Sequence, residues 1–129
     1  NNELVLLTMP YELKSGETVL VATCQFDRND ASKRVRQAEA LAAYADQVKQ
    51  NIVICASIHE DLSGNVLNIL KTKYRRSCKF AAENTYPAVS RYDYILTPLS
   101  QNWGTQTILV KGDASVSDHK ALFIRIGLK

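Results

Sequence analysis

The chain has no run of about 18 apolar residues, the length that a helix needs to cross a membrane, so we expect a soluble protein with no membrane partner. Excess charge is also missing, because the formal net charge is only +3 at pH 7. A balance this small gives no indication of nucleic-acid binding by itself. These absences leave the cellular compartment unknown.

Cysteine is scarce and odd in number, with Cys24, Cys55 and Cys78. Their spacing fits no common metal site, and free cysteines are usually buried as small apolar side chains. We expect buried thiols here, while the redox state of the three cysteines stays open.

The first residue is Asn1, which indicates that a preceding segment was removed or not included. A targeting segment and a longer parent protein both stay open. The 129 residues, of which 46% are hydrophobic, suit one compact domain over positions 1–129.

The hydrophobic pattern predicts strands at both ends of the chain and helices between them. Residues 4–9 and 18–23 are apolar runs separated by a Gly16 turn, which predicts a hairpin. A helix is predicted over 31–49, capped by Asp30, because apolar side chains recur on one face at Val35, Ala38, Ala42, Ala45 and Val48.

The second half of the chain continues the alternation. Residues 51–56 predict a strand buried on both faces, and Ser63 caps a short helix that carries Val66, Leu67, Ile69 and Leu70. Three closing strands are predicted over 93–97, 107–110 and 121–126. The order predicts an α/β (α+β) fold, a mixed β-sheet with its helices on one face, whose other face must also be covered.

Five segments in chain order carry polar residues that suggest a site: 23–27 (TCQFD), 33–41 (KRVRQAEAL), 54–59 (ICASIH), 91–95 (RYDYI) and 117–119 (SDH). Together they resemble the C-terminal half of the endonuclease/exonuclease/phosphatase family, which includes DNase I, abasic-site endonucleases and inositol phosphatases. The resemblance covers nearly the whole chain. It implies half of a DNase I-like α/β/β/α sandwich.

The resemblance implies that Asp93, Asp118 and His119 keep catalytic positions of the family, and that the other site positions are substituted. Cys24 stands where the family has a His after Thr, Ser57 where it has the Asp of a Gly-Asp pair, and His59 where it has an Asn. A serine hydroxyl is neither ionised nor basic at neutral pH, so it cannot replace a carboxylate.

We therefore expect a degenerate, non-catalytic relative of metal-dependent phosphoesterases that acts as an interaction or structural module. No cofactor is expected for such a module. The alternative is a phosphodiesterase or phosphatase, acting on nucleic acid or another phosphoester with Mg²⁺ or Mn²⁺, whose site is completed by another chain or by a missing N-terminal half. Asp118 is then the candidate metal ligand.

Two further sites are weaker hypotheses. Thiolate and imidazole are suitable zinc ligands, but the sequence spacing does not specifically support a zinc site at Cys24, His59, Asp118 and His119. A basic stretch around Tyr74 could meet a phosphate backbone, although a solvated helix end is the favoured interpretation; it contains Lys71, Lys73, Arg75, Arg76 and Lys79.

One half of a sandwich leaves an apolar sheet face without its partner layer. A homodimer through this open face would bury it by a self-complementary contact, which is the commonest form of oligomer. A partner chain that supplies the missing half is the alternative.

Overall fold

The computed structural model of the protein describes residues 4–60, 64–76, 92–111 and 115–129, with the backbone alone over 105–111. Seven strands and two helices follow one another in this part of the chain. They are β1 (Leu7–Glu12), β2 (Thr18–Gln25), α1 (Ala31–Gln47), β3 (Ile52–Ser57), α2 (Asn65–Leu70), β4 (Tyr74–Arg76), β5 (Asp93–Pro98), β6 (Trp103–Lys111) and β7 (Ala121–Leu128).

Five of these strands form a mixed sheet in the order β1-β2-β3-β5-β4. Strands β2 and β3 run parallel, and the other three neighbouring pairs run antiparallel. A parallel pair needs a crossover, and α1 supplies it between β2 and β3. The predicted mixed sheet is therefore confirmed.

The β1–β2 hairpin forms as predicted, although β1 begins at Leu7 rather than at Leu4. Its turn is closed by two backbone hydrogen bonds, from the Leu13 N–H to the Glu17 carbonyl and from the Gly16 N–H to the Leu13 carbonyl, and Gly16 adopts a φ of 85°. A positive φ is the conformation that glycine adopts at no steric cost. Strand β1 is an edge strand and contains Pro10, which pairs with Leu20 of β2.

Helix α1 begins where the sequence predicts and ends two residues earlier than predicted. The Asp30 side chain accepts a hydrogen bond from the backbone N–H of Lys33, so it satisfies one of the free amides of the first turn. The buried face includes Ala38, Leu41 and Ala45, and it packs against the sheet.

The main core lies between the helices and one face of the five-stranded sheet. Alternate residues of each strand enter it because successive side chains of a strand point to opposite faces. Its largest buried members are Phe26, Leu41, Ile52, Ile54, Ile58, Leu70, Tyr74, Tyr94 and Leu96. Helices on one face of the sheet are thus confirmed.

Strands β6 and β7 differ from the prediction of one sheet, because they pair only with each other among the described strands. Their hairpin packs on the sheet face opposite the helices, which we call the hairpin face. There the buried Trp103 contacts Val19, Val53 and Ile95. The chain thus covers part of its second sheet face by itself.

Another part of the hairpin face carries large exposed apolar side chains. Leu7, Met9 and Tyr11 of β1 pair with Thr23, Val21 and Val19 of β2, so they share one face with them. We call the exposed members of this region, together with the preceding Val5, the apolar strip; it consists of Val5, Leu7, Met9, Tyr11 and Val21.

Smaller elements depart from the prediction in detail. The N-cap of α2 is Gly64, and the predicted cap Ser63 lies outside the described residues, as do Cys78, Lys79 and Arg91. Strand β4, at the second edge of the sheet, was not predicted. None of the described helices is long and apolar enough to cross a membrane.

Candidate functional site

A cleft of about 690 Å³ opens on the hairpin face of the sheet. Its floor includes a polar row formed by Gln25, Ser57 and Asp93, which are register partners on three neighbouring strands. Because partners in register share a face, these three side chains project to the same side. Val5, Leu7, His119 and Leu122 complete its walls.

Asp93 and His119 form the closest pair in this cleft. His119 Nδ1 lies 2.7 Å from Asp93 Oδ2, and both side chains are about three-quarters buried, with 24% and 22% of their surface exposed. The segment before β7 carries His119, and its backbone N–H donates to the Ser117 hydroxyl at 3.1 Å. A carboxylate on Nδ1 fixes the ring orientation and directs Nε2 away from it.

Gln25 and His59 form a second pair beside the first. The Gln25 side-chain nitrogen lies 3.2 Å from His59 Nε2, and the amide donates while the ring nitrogen accepts. The His59 ring packs edge-on against the ring of His119, with centroids 6.4 Å apart. The two histidines of the sequence are therefore neighbours, which their 60-residue separation did not predict.

His59 is held in a restricted environment. Its φ of 53° lies in the left-handed region, which few residues other than glycine adopt, although histidine, asparagine and aspartate are enriched there. It is buried, and this desolvation lowers the pKa of its imidazole below 6.5, with further lowering by Arg28, His119 and Arg34; Asp93 acts in the opposite direction. The folded chain therefore favours the neutral ring.

Ser57 and Gln25 place uncharged groups at the parallel carboxyl ends of β3 and β2. The Ser57 hydroxyl oxygen is buried and has no hydrogen-bond partner among the described residues. Gln25 was not among the predicted site residues. The alternation of β2 could have identified it, because Gln25 follows Val19, Val21 and Thr23 on the hairpin face.

The Cys24 side chain does not project into the cleft, unlike that of Ser57. It belongs to the core under the helices, where burial and then the nearby Cys55 raise the pKa of its thiol to about 12. Cys55 projects from the opposite face, lines the cleft floor and is exposed, so the expected buried thiol is found at Cys24 and not at Cys55. Partial desolvation still raises the pKa of the Cys55 thiol. Both cysteines are free, and their strand positions direct them to opposite sides of the sheet.

The residues at this site do not fit the metal that the resemblance implies. Mg²⁺ is usually held by one or two carboxylates together with water and substrate phosphate, but Gln25 and Ser57 are neutral and the one carboxylate of the row, Asp93, is hydrogen-bonded to His119. Asp118 is exposed, and no described hydrogen bond or ion pair includes it. In the described part of the chain, no group of three His, Cys, Asp or Glu could hold a metal ion. The zinc hypothesis also loses Cys24, which lies in the core.

The structure describes four of the five cations of the predicted basic stretch. Lys73 forms an ion pair with Asp46 at 2.9 Å, and Arg75 donates to the Trp103 carbonyl at 2.8 Å. Lys71 is exposed at the end of α2, and Arg76 is half-buried in β4. Two of its cations therefore have structural partners.

An ion pair links helix α1 to the loop that follows β3. Arg34 Nε lies 3.0 Å from Glu60 Oε1, and Arg34 also donates to the carbonyls of Asp27 and Arg28. The other Glu60 oxygen accepts from the backbone N–H of Val66, and the missing side chain of Gly64 leaves room for it. This network holds together the segments that follow Gln25 and His59.

The fold is similar to solved endonuclease/exonuclease/phosphatase structures. The endonuclease/exonuclease/phosphatase from Bacteroides vulgatus matches with a TM-score of 0.81 at 14% identity, over 98% of this chain and 56% of that chain. The Bacteroides thetaiotaomicron mannosyl-6-phosphatase matches with a TM-score of 0.71 at 14% identity, over 97% and 57%. The human Nocturnin catalytic domain with bound sulfate matches with a TM-score of 0.69 at 15% identity, over 98% and 53%.

These similarities confirm the predicted resemblance at the level of the fold. The chain spans slightly more than half the length of each of these three solved chains, as predicted for one half of the sandwich. No protein-family model matches the sequence, and no curated protein matches it either.

Proposed function

We propose that the chain is an interaction module with a phosphoesterase-type fold, which binds a ligand in its cleft and does not hydrolyse phosphoesters. The observation that carries this proposal is the polar row of the cleft floor, where Gln25 and Ser57 stand beside Asp93. Amide and hydroxyl groups form hydrogen bonds, but at neutral pH they neither take a proton from water nor offset the charge of a transferred phosphoryl group.

The two imidazoles support the same proposal. His59 Nε2 already accepts from Gln25, and burial restricts access to its ring. His119 is held by Asp93, and its neighbours in the cleft provide no second ionised group on the described strands β2 and β3. Phosphoryl transfer needs several preorganised charges acting together, so one oriented imidazole gives little rate enhancement.

The test is hydrolysis of bis(p-nitrophenyl) phosphate in the presence of Mg²⁺ or Mn²⁺. We expect the native chain, Asp118→Ala and His119→Ala to release nitrophenol at the same rate as buffer that contains the metal. Val116→Ala is the matched control, because Val116 is an exposed residue of the same segment. Metal-dependent turnover that both site variants abolish and Val116→Ala retains would contradict the proposal.

A second candidate is a phosphoesterase whose site is completed by another polypeptide. The Asp93–His119 pair at 2.7 Å favours it, because an imidazole oriented by a carboxylate is suited to general acid or base catalysis. The candidate predicts that an assembly containing this chain hydrolyses the diester. In that assembly Asp93→Asn should lower kcat by roughly 100-fold or more, while Val116→Ala leaves it unchanged.

A further inference from the structure

We propose that the apolar strip is the contact surface of a two-fold dimer of this chain. The proposal concerns assembly and does not depend on whether the cleft is catalytic.

The side chains of the apolar strip are largely exposed, and those on strands point to one side of the sheet. The exposed fractions are 65% for Leu7, 59% for Met9, 56% for Tyr11, 66% for Val5 and 37% for Val21. Leu7, Met9 and Tyr11 alternate along β1, and Val21 is the register partner of Met9. The four strand residues therefore form a contiguous surface on one side of the sheet.

The β6–β7 hairpin covers the adjacent part of the same face and stops short of the strip. Val19 and Val53 are buried under it, whereas Val21, the register partner of Val53 on β2, is exposed. Leu122 of β7 lines the same cleft as Val5 and Leu7. The second layer is thus incomplete over β1 and its border with β2.

The size and charge of the strip suit a self-complementary contact. Five large apolar side chains at these exposures present on the order of 400–500 Å², as much as the largest patch of a typical monomer. A stable dimer buries about 800 Å² per partner, so the strip would form the centre and its surroundings the rim. None of the five side chains is charged at neutral pH, so two copies can meet without burying an unpaired ion.

A second copy of this chain is also about as large as the part of the solved structures that this chain does not match. This chain covers 56% of the Bacteroides vulgatus structure, so the other 44% of that chain lies outside the match. A copy of this chain is a layered body of comparable size. Because Val5 and Leu7 belong to both the strip and the cleft wall, the partner would also lie at the mouth of the cleft.

Light scattering after size exclusion tests the proposal. We expect the native chain to have twice the 14.4 kDa mass of one chain over a roughly hundredfold range of concentration. Met9→Lys and Leu7→Lys should raise the dimer dissociation constant by roughly a hundredfold or more, because each places a charge at the centre of the contact.

Phe123→Lys is the matched control. Phe123 is 56% exposed, as Tyr11 is, but it alternates with Leu122 and Ile124 and so faces away from the sheet. Phe123→Lys should leave the dimer intact. Circular dichroism should show that Met9→Lys, Leu7→Lys and Phe123→Lys all fold. A native chain that is monomeric throughout overturns the proposal and assigns the strip to a different polypeptide. A dimer that Phe123→Lys disrupts and Met9→Lys does not also overturns it.

Discussion

The side chains of Gln25 and His59, 34 positions apart in the sequence, meet at 3.2 Å where two parallel strands end. The amide donates to Nε2, so the ring accepts at that nitrogen and carries its proton on Nδ1. This contact and burial act in the same direction, since both favour the neutral imidazole. Gln25 thus favours the His59 tautomer that carries its proton on Nδ1.

Gln25→Glu should raise the pKa of His59. A carboxylate at this position accepts a hydrogen bond from Nε2–H and attracts the charged ring, so it favours the protonated form that Gln25 disfavours. The measurement is an NMR titration of the His59 ring protons. Thr23→Glu is the control, because Thr23 lies on the same face one pleat away. A larger rise in Thr23→Glu than in Gln25→Glu would contradict the assigned contact.

His59 should make stability depend on pH. Its folded pKa lies below the ordinary value of 6.5, so between these two values the unfolded chain binds more protons than the folded chain. The free energy of unfolding should therefore fall as the pH is lowered through this window. His59→Asn should flatten that part of the profile, and asparagine tolerates the φ of 53°. Urea unfolding at several pH values measures how the free energy of unfolding depends on pH. If His59→Asn has the same dependence as the native chain, another group causes it.

Cys24→His should lower the free energy of unfolding much more than Gln25→His, although the two residues are adjacent in the sequence. Cys24 is 6% exposed in the helix-side core, so a larger polar ring there should cost about 2–4 kcal/mol through overpacking and an unsatisfied nitrogen. Gln25 is exposed to the cleft, and histidine there should change stability by about 1 kcal/mol or less. Denaturant unfolding of both variants provides the comparison. Equal losses would mean that the two side chains do not occupy opposite faces.

Glu60→Ala should destabilise the chain more than Asp46→Ala. Glu60 is 14% exposed and loses both Arg34 and the Val66 N–H, so the cost should be roughly 2–4 kcal/mol. The Asp46–Lys73 pair is 62% and 41% exposed, and such pairs contribute about 0–1 kcal/mol. Thermal and urea unfolding measure both losses. Comparable values would indicate that the Glu60 network is not formed in solution.

The sequence predicted the elements that depend on interactions between residues close together in the chain. The α1 helix and its Asp30 cap follow from apolar spacing and a side-chain acceptor, both of which act within a few residues. Strand β4 could not be predicted in this way, because Tyr74-Arg75-Arg76 is too short and too charged to show alternation. Its place is set by pairing with β5 and by the Tyr74 hydroxyl, which donates to the Leu41 carbonyl at 2.6 Å.

The candidate site was only partly accessible from the sequence. The Asp93 and His119 positions came from the resemblance, and the structure brings them together at 2.7 Å. The separate β6–β7 sheet and the Gln25–His59 contact depend on long-range pairing, which no local period encodes. The resemblance pointed to Cys24, but the alternation of β2 places Cys24 in the core and Gln25 in the cleft.

Pro10 restricts how this molecule can associate. A proline has no N–H to donate, so a strand that approached the outer edge of β1 would meet one position without a donor in the middle of a six-residue strand. Extended edge-to-edge growth of the sheet, the usual route from an exposed edge to fibrils, is therefore discouraged at β1. At high protein concentration the outer edge of β1 should therefore resist ordered β-aggregation, even though the adjoining surface is apolar.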